Sequence, residues 1–405
     1  MQVEYRTKII ELQNRMEELV GHKLNVNSPK QMQKFLYEEL GNEKQTKVRK
    51  KKGADEKTTS VSTDAATLER IQAKSPHEAI PMVLEIRERQ KLLSTYLEAA
   101  PDADGRMRTN YKIAGTKSGR LSASETIFGT GLNIQNVPAG PARRLFIADD
   151  GCSFVQGDLS QAEARVVAYV AGDERLIRVF TEGGDIHRKN ASIIFSKPEE
   201  AVTDQERQLA KKIVHASNYG MGPRTFKETC WNELGMEMSQ SQAQTYLNMY
   251  FAQFIGVPRW HTQIQSQIRK NRTLTTPYGR KRMFFGYVGD DLFREAYSFI
   301  PQAVVSDHLN MALIELFDLF NRNPGLQAQI VMQVHDSLMV QCPDSKVDTV
   351  MDLMKQYMDK PVPATRNSAT FDIPVDFKIG KNWNDLKKKE VLVAQVAGLS
   401  SAPSS

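Results

Sequence analysis

The chain has 405 residues, of which 40% are hydrophobic and 25% charged, with a formal net charge of +6 at pH 7. That length exceeds what one hydrophobic core usually serves, so two or three subdomains sharing a cleft are expected, and the composition excludes a chain disordered throughout. No apolar run approaches bilayer-spanning length and Met1 opens no secretory core, which points to a soluble, unexported protein. The three cysteines, Cys152, Cys230 and Cys342, are too dispersed to indicate a disulfide framework or a zinc site.

In residues 3–20, Ile9, Leu12, Met16 and Leu19 recur at helical spacing before Gly21, predicting an amphipathic helix with a glycine stop. A second helix is expected from Ser28, which can cap, with Pro29 in the first helical position and Gln31 reaching back to complete a capping box; it should end near Gly41. Residues 42–64 are polar and rich in Thr and Ser, predicting an unpacked tip. Lys47, Arg49, Lys50, Lys51 and Lys52 concentrate positive charge there, which suits a polyanion partner and equally suits a solvated loop. Further helices are expected from about Asp64 and over 81–96. Glycines and prolines between 115 and 141 then signal turns and short strands. Residues 145–159 read as strands, 160–270 as mainly helical, 271–287 as turn-rich and 293–322 as one long helix. Residues 329–341 form the clearest hairpin, with Ile330–Val334 and Leu338–Val340 meeting at His335-Asp336-Ser337. The tail from 391 to 405 reads as frayed, and no repeat recurs at solenoid spacing.

Three groups of residues carry chemistry. The strand Phe154-Val155-Gln156-Gly157 delivers Asp158 to its end, and Ser160-Gln161-Ala162-Glu163 is expected to open a helix as a capping box. An acid at such a junction can coordinate a cation or merely cap. Asp336 in the hairpin bend either makes local turn hydrogen bonds or joins Asp158 in holding two magnesium ions about 3.5–4 Å apart, the arrangement of two-metal phosphoryl transfer. Arg207, Lys211, His215 and Tyr219 recur every fourth residue, one drifting stripe on a helix. Like charges one turn apart cost about 0.2–0.5 kcal/mol, and Lys212 adds to the repulsion, so the stripe makes sense against an anion such as a triphosphate. An exposed basic face, partly offset by Glu206, is the alternative.

Asp158-Leu159-Ser160-Gln161-Ala162-Glu163-Ala164-Arg165 resembles motif A of family A DNA polymerases, Arg207 to Gly220 resembles motif B on their fingers helix, and Gln333-Val334-His335-Asp336 resembles motif C. Gly119-Arg120-Leu121-Ser122, Asn133-Ile134-Gln135-Asn136-Val137-Pro138, Asp185-Ile186-His187 and Tyr278-Gly279-Arg280 resemble further family segments. These segments follow the family order across residues 10–388, which makes coincidence a poor explanation.

The resemblance implies an α+β, right-hand polymerase fold with an antiparallel palm sheet and largely helical thumb and fingers. Residues 1–104 would be thumb, 105–165 palm with motif A, 166–292 fingers with motif B, 293–390 palm with motif C, and 391–405 a disordered tail. The implied activity is template-directed addition of deoxyribonucleotides to a primer 3′-hydroxyl with release of pyrophosphate. By resemblance, Asp158, Asp336 and the backbone carbonyl of Leu159 would bind two Mg2+, with Mn2+ able to substitute. Lys211 would join the two aspartates in catalysis as proton donor to pyrophosphate. Arg207, Lys211 and His187 would hold the triphosphate, and His215, Tyr219, Glu163 and Gln161 would complete the nucleotide pocket, Glu163 and Tyr219 crowding the sugar 2′ position. Arg120, Arg294, Gln302, His335, Asn133 and Gln135 would contact primer terminus, template or minor groove. Lys47, Arg49, Lys50, Lys51 and Lys52 would grip duplex phosphates from the thumb tip. The implied partners are a primer-template DNA duplex and a dNTP, with no membrane; a monomer is expected, a separate processivity factor and RNA templates stay open. The implied location is the cytoplasm of a bacterial or phage-infected cell, or an organelle.

His215 stands where motif B usually has Phe or Tyr, and Ser337 follows Asp336 where many relatives carry Glu. Leu159 and Ala162 replace a usual Tyr and a bulky aliphatic, which would loosen the nucleotide pocket. Such variants are more similar to phage or organelle branches than to bacterial repair enzymes. The chain opens within the resemblance to the thumb, so proofreading by an upstream exonuclease domain is expected to be absent. Two rivals compete with this reading. A two-metal nuclease would also use Asp158, Glu163 and Asp336 but leaves the Arg207–Tyr219 stripe unexplained. A catalytically inactive, polymerase-like nucleic-acid-binding protein would have had no need to keep Asp158, Asp336, Arg207 and Lys211.

Overall fold

The computed structural model of the chain describes residues 1–50, 57–113, 115–365 and 369–389; Lys51, Lys52 and the segment 391–405 lie outside them. The chain divides into two compact units, Met1–Asn110 with Ser124–Asn133, and Tyr111–Ala123 with Ile134–Ser405.

In the first unit, α1 (Gln2–Val20) buries Leu12 and Met16 and stops as expected at Gly21, whose φ of 81° only glycine adopts freely. Ser28 accepts a bond from the Gln31 amide and Pro29 opens α2 (Pro29–Gln33), which continues as a π-helical stretch over Lys34–Glu39. The Gln31 side chain instead accepts from the Asn25 amide at 2.7 Å, while the Ser28 amide is taken by the Asn25 carbonyl, so only half of the expected capping box forms. The expectation of an unpacked tip is also corrected. β1 (Thr46–Lys50) and β2 (Lys57–Val61) pair antiparallel from Thr46↔Val61 to Lys50↔Lys57. Thr46, Val48, Thr58, Thr59 and Val61 are β-branched and favour extended backbone. Tyr37 pins the base by donating to the Ser62 carbonyl at 2.5 Å. Polarity set the exposure of this segment and did not prevent strands. α3 (Ala65–Lys74), capped by Asp64, and α4 (Ala79–Leu92), prolonged through Leu93–Leu97, complete the unit. Leu12, Met16, Leu36, Leu68, Val83 and Ile86 share its core.

The segment 111–123 that opens the second unit starts within β3 (Asn110–Lys112) and ends within β4 (Ser122–Ser124). Strand structure does not start at 145 as expected. A 3-10 turn spans Pro141–Leu145 and only Ile147 bridges to Asn382 before β5 (Cys152–Leu159); Pro141 at the turn start and the Asp149–Gly151 bend break the extended run. Helices follow: α5 (Ala162–Val170), α6 (Glu174–Thr181), α7 (Ile186–Phe195), α8 (Asp204–Asn218), α9 (Pro223–Leu234), α10 (Gln240–Gln253) and α11 (Gly256–Asn271). β6 (Thr273–Thr275) and β7 (Lys281–Met283) form a ribbon before α12 (Asp290–Arg322), 33 residues long with Pro301 inside it. The hairpin β8 (Gln329–Val334) and β9 (Ser337–Pro343) matches expectation, then come α13 (Val347–Met358), the short pair β10 (Val362–Pro363) and β11 (Thr370–Phe371), β12 (Val375–Gly380) and β13 (Lys387–Lys389). The sheet order is β13-β12-β5-β9-β8, every neighbour antiparallel.

β5 is the central strand, and α13 packs on it at Gly157, where a Cβ would meet Met358 Sδ at 3.0 Å and a Phe377 ring carbon at 3.1 Å. The class is therefore α+β, as expected: a five-stranded antiparallel sheet with helices against it, and small two-stranded ribbons elsewhere.

Candidate active site

The sheet brings the two aspartates together. Register pairs Asp158 with Ser337, and the Leu159 amide donates to the Asp336 carbonyl at 3.0 Å, so the end of β5 lies beside the β8–β9 turn. That turn is two residues long, and His335 takes φ 53°, the left-handed conformation a tight hairpin needs at its first central residue. Ser337 is buried: its hydroxyl donates to the Val334 carbonyl at 2.9 Å and accepts from Gln156 at 3.2 Å, stapling the turn. Across the other edge of β5, Asp376 sits opposite Asp158. Asp158 is pushed up to about 6, first because surrounding protein displaces water, then because Asp336 and Asp376 add negative charge that Lys378 only partly offsets. Asp376 and Lys378 were not singled out from sequence; only the strand order places them here.

Arg120 bridges this pair to a third carboxylate. Its Nη2 lies 3.1 Å from Asp336 Oδ1 and also donates to Glu163 Oε1, while the Tyr219 hydroxyl donates to Glu163 Oε2. Burial raises the Glu163 pKa, against the pull of Arg120. The expected capping box at the start of α5 does not form. Gln161 is the N-cap residue at φ 50° without a side-chain bond, and Glu163 turns to the guanidinium, a charged partner stronger than a backbone amide. Gln161 Oε1 is buried without a partner. Gly119 precedes Arg120 at φ +84°, and a Cβ there would come within 2.5 Å of the Arg280 guanidinium carbon.

α7 and α8 present the cations. Thr203 and Glu206 form a full capping box at the start of α8. Asp185 caps α7 through the His187 and Arg188 amides and accepts from Arg207 Nε at 2.7 Å. Arg207 is thus held in place by a carboxylate and does not stand bare on the stripe. Lys212, beside the stripe, pairs with Glu233, which removes its share of the repulsion. His187 is buried and its pKa falls to about 4, mainly through loss of water, with Arg207 and Lys211 adding positive charge and Asp185 opposing. His215 meets Tyr219 edge-on at 4.7 Å and its pKa is also lowered, first by burial, then by Lys212. After Tyr219, Gly220 takes φ +67°, where a Cβ would lie 2.8 Å from the Tyr297 ring and 3.7 Å from Arg294 Cγ, so the end of α8 abuts α12. Arg294 pairs with Asp291 at 2.5 Å, and Gln302 lies two turns further along α12, half-buried.

Gln135 donates to Gln333 Oε1 at 3.0 Å, Gln333 donates to the His335 carbonyl at 2.7 Å, and the Tyr111 hydroxyl donates to the Gln333 carbonyl at 2.9 Å. This amide network braces the turn that carries Asp336; Tyr111 escaped sequence reasoning because a lone Tyr on a short strand gives no signal. Asn133 and the basic residues of β1 belong to the first unit, where Lys47 pairs with Asp64 at 2.7 Å and Arg49 and Lys50 lie on β1. Among the described residues no group of three or more His, Cys, Asp or Glu is arranged to hold a metal ion, and no helix is long and apolar enough to cross a membrane.

Comparison with known proteins covers nearly the whole chain. The model of DNA polymerase family A matches residues 1–385. The thermostable DNA polymerase I of Thermus aquaticus is 32% identical over 403 residues, spanning 96% of this chain and 45% of that protein. DNA polymerase I of Deinococcus radiodurans is 29% identical over 404 residues, spanning 96% of this chain and 39% of that protein. The chain therefore spans under half the length of these curated relatives. Among solved structures, the POL domain of Pol1 from M. smegmatis, in complex with DNA primer-template and dNTP, superposes with a TM-score of 0.80 at 26% identity, covering 95% of this chain and 65% of that one. With the family model matching residues 1–385, nearly the whole chain, the chain belongs to DNA polymerase family A.

Proposed function

We propose that this chain is a polymerase core that extends a DNA primer on a template, adding deoxyribonucleotides and releasing pyrophosphate. The observation that carries the reading is that Asp158, at the end of β5, lies beside the β8–β9 turn that carries Asp336, in the same unit as Arg207, Lys211 and His187. In this reading residues 1–104 serve as thumb, 105–165 and 293–390 as palm, and 166–292 as fingers, the whole acting as a cytoplasmic monomer on a primer-template duplex and a dNTP.

The donor set fits a divalent cation. Asp336 and Asp376 both raise the proton affinity of Asp158, so positive charge placed there would relieve the repulsion, and Arg120 already rests against Asp336. Asp158, Asp336 and the Leu159 carbonyl would hold two Mg2+, or Mn2+ in its place. Bound there, such ions supply charge neutralisation and a more acidic primer hydroxyl. The rest falls to side chains. Arg207, oriented by Asp185, and Lys211 neutralise charge growing on the leaving pyrophosphate, and Lys211 gives it a proton. His187, neutral at pH 7, supplies a hydrogen bond without adding to the local positive charge. Glu163 and Tyr219, bonded to each other, close the space beside the sugar 2′ position. Arg120, Arg294, Gln302, His335, Asn133 and Gln135 position template and primer, and the basic residues of β1 hold duplex phosphates.

Primer extension with matched DNA and RNA templates tests the reading. The unaltered chain is expected to lengthen the primer only with template and nucleotide present. Asp158→Ala and Asp336→Ala should each abolish extension and keep duplex binding. Extension by either variant at the unaltered rate overturns the metal assignment, and primer shortening without nucleotide would favour the nuclease.

A further inference from the structure

Residues 281–289 run from β7 into α12 and carry large apolar side chains that they do not bury. The ribbon pairs Thr273 with Met283, Leu274 with Arg282 and Thr275 with Lys281. Alternation along the strand therefore turns Leu274 and Arg282 inward, and Lys281 and Met283 outward. Pairing extends one step further, since the Phe284 amide donates to the Arg272 carbonyl at 2.8 Å. Phe284 is buried, edge-on to Phe299 at 5.9 Å and 4.3 Å from the Arg282 guanidinium. The outward row goes the other way: Met283 is 56% exposed, Phe285 76% and Tyr287 91%.

This row is anchored from beneath. Arg272 donates to the Gly286 carbonyl at 2.7 Å, holding the bend where Gly286 takes φ 101°. The Tyr287 ring lies along Gly289, where a Cβ would approach it to 3.1 Å. Three large apolar groups left exposed within five residues of chain mark a contact surface. Cations accompany them: Lys281 lies on the same face of β7 and Arg272 holds the Gly286 bend, and Lys270 stands two residues before Arg272 near the end of α11, all exposed. Of the acids that follow, Asp291 is engaged by Arg294. The row also has a place in the site, because Arg294, one turn into α12, lies against Gly220 at the end of α8.

We propose that Met283, Phe285 and Tyr287, with Lys281, Arg272 and Lys270, form a stacking platform for single-stranded nucleic acid, taking the unpaired template next to the nucleotide pocket. This rests on the polymerase reading. Bases offer apolar faces and phosphates offer charge, and a row of rings edged by cations matches both without reading sequence. A protein partner would use the rings but leave the cations unanswered.

The test uses the full chain and labelled primer-templates that either lack a 5′ template overhang or carry short and long ones, with affinity read by fluorescence anisotropy at fixed salt. The unaltered chain should bind more tightly as the overhang grows. Phe285→Ala with Tyr287→Ala should lose that gain, roughly fivefold or more on long overhangs, and equal the unaltered chain without an overhang. Phe285→Tyr with Tyr287→Phe should keep it. Should the double variant melt early, Tyr287→Ala alone, at the most exposed position of the row, gives the same readout at about half the effect. Retention of the overhang-dependent gain by the alanine variant, an equal loss with and without overhang, or a change in self-association alone would overturn the platform. If the unaltered chain binds by overhang length but extends no primer, the polymerase reading fails and the single-strand site stands.

Discussion

Arg120 holds Asp336 and Glu163 on one guanidinium, and Glu163 in turn accepts from Tyr219, so four side chains from separate segments act as one unit. Replacing Glu163 by Ala would leave the Tyr219 hydroxyl and Arg120 short of an acceptor, a loss of about 1–3 kcal/mol in stability. It would also open the space beside the 2′ position. The ratio of ribonucleotide to deoxyribonucleotide incorporation should rise on the order of tenfold, about 1.4 kcal/mol of lost discrimination, measured as the two values of kcat/KM; an unchanged ratio removes the sugar filter. Asp185→Asn would weaken the hold on Arg207 and should raise KM for the nucleotide several-fold with kcat little changed, read by steady-state extension. Much of this was legible in the sequence, because Asp158, Glu163, Arg207, Tyr219 and Asp336 each sit in a recognisable segment. Their partners were not. Glu163 could be read as a cap from its spacing to Ser160, and only the fold shows a guanidinium in front of it.

Helices and the β8–β9 hairpin announced themselves through period and through apolar strands around a polar bend, and these formed as read. The β1–β2 ribbon was hidden by its polarity, since lysines and threonines describe a solvated surface in either conformation. The run before β5 misled in the opposite sense, its hydrophobic residues suggesting a strand that a proline-started turn and a bend interrupt. At the level of elements the most sensitive contact is α13 on β5. Gly157→Val would drive a side chain into Met358 and Phe377, and should cost about 1–3 kcal/mol through overpacking, seen as a lower Tm and a weakened sheet. A variant with unchanged Tm would show that Met358 swings aside freely.

Across the second unit, His187, His261 and His308 are buried with depressed pKa values, His261 and His187 to about 4 and all three chiefly through burial. A histidine whose folded pKa lies below its unfolded value takes up more protons when unfolded. The stability it holds above pH 6.5 is lost as pH falls toward 4, for His261 up to about 3 kcal/mol. Thermal melts should therefore shift down between pH 6.5 and 4, and His261→Gln should flatten that slope. The meeting of Asp158, Asp336 and Asp376 belongs to this scale too, since it depends on a sheet order that joins residues far apart in the chain and that no local pattern encodes. Pro301 adds a mechanical consequence. Lacking an N–H, it cannot bond the carbonyl of Tyr297, the residue that stacks on His261 at 3.9 Å and touches Gly220. The long rod that leads into the Asp336 hairpin therefore lacks one backbone hydrogen bond beside the end of α8, and Pro301→Ala, which restores the donor, should raise Tm.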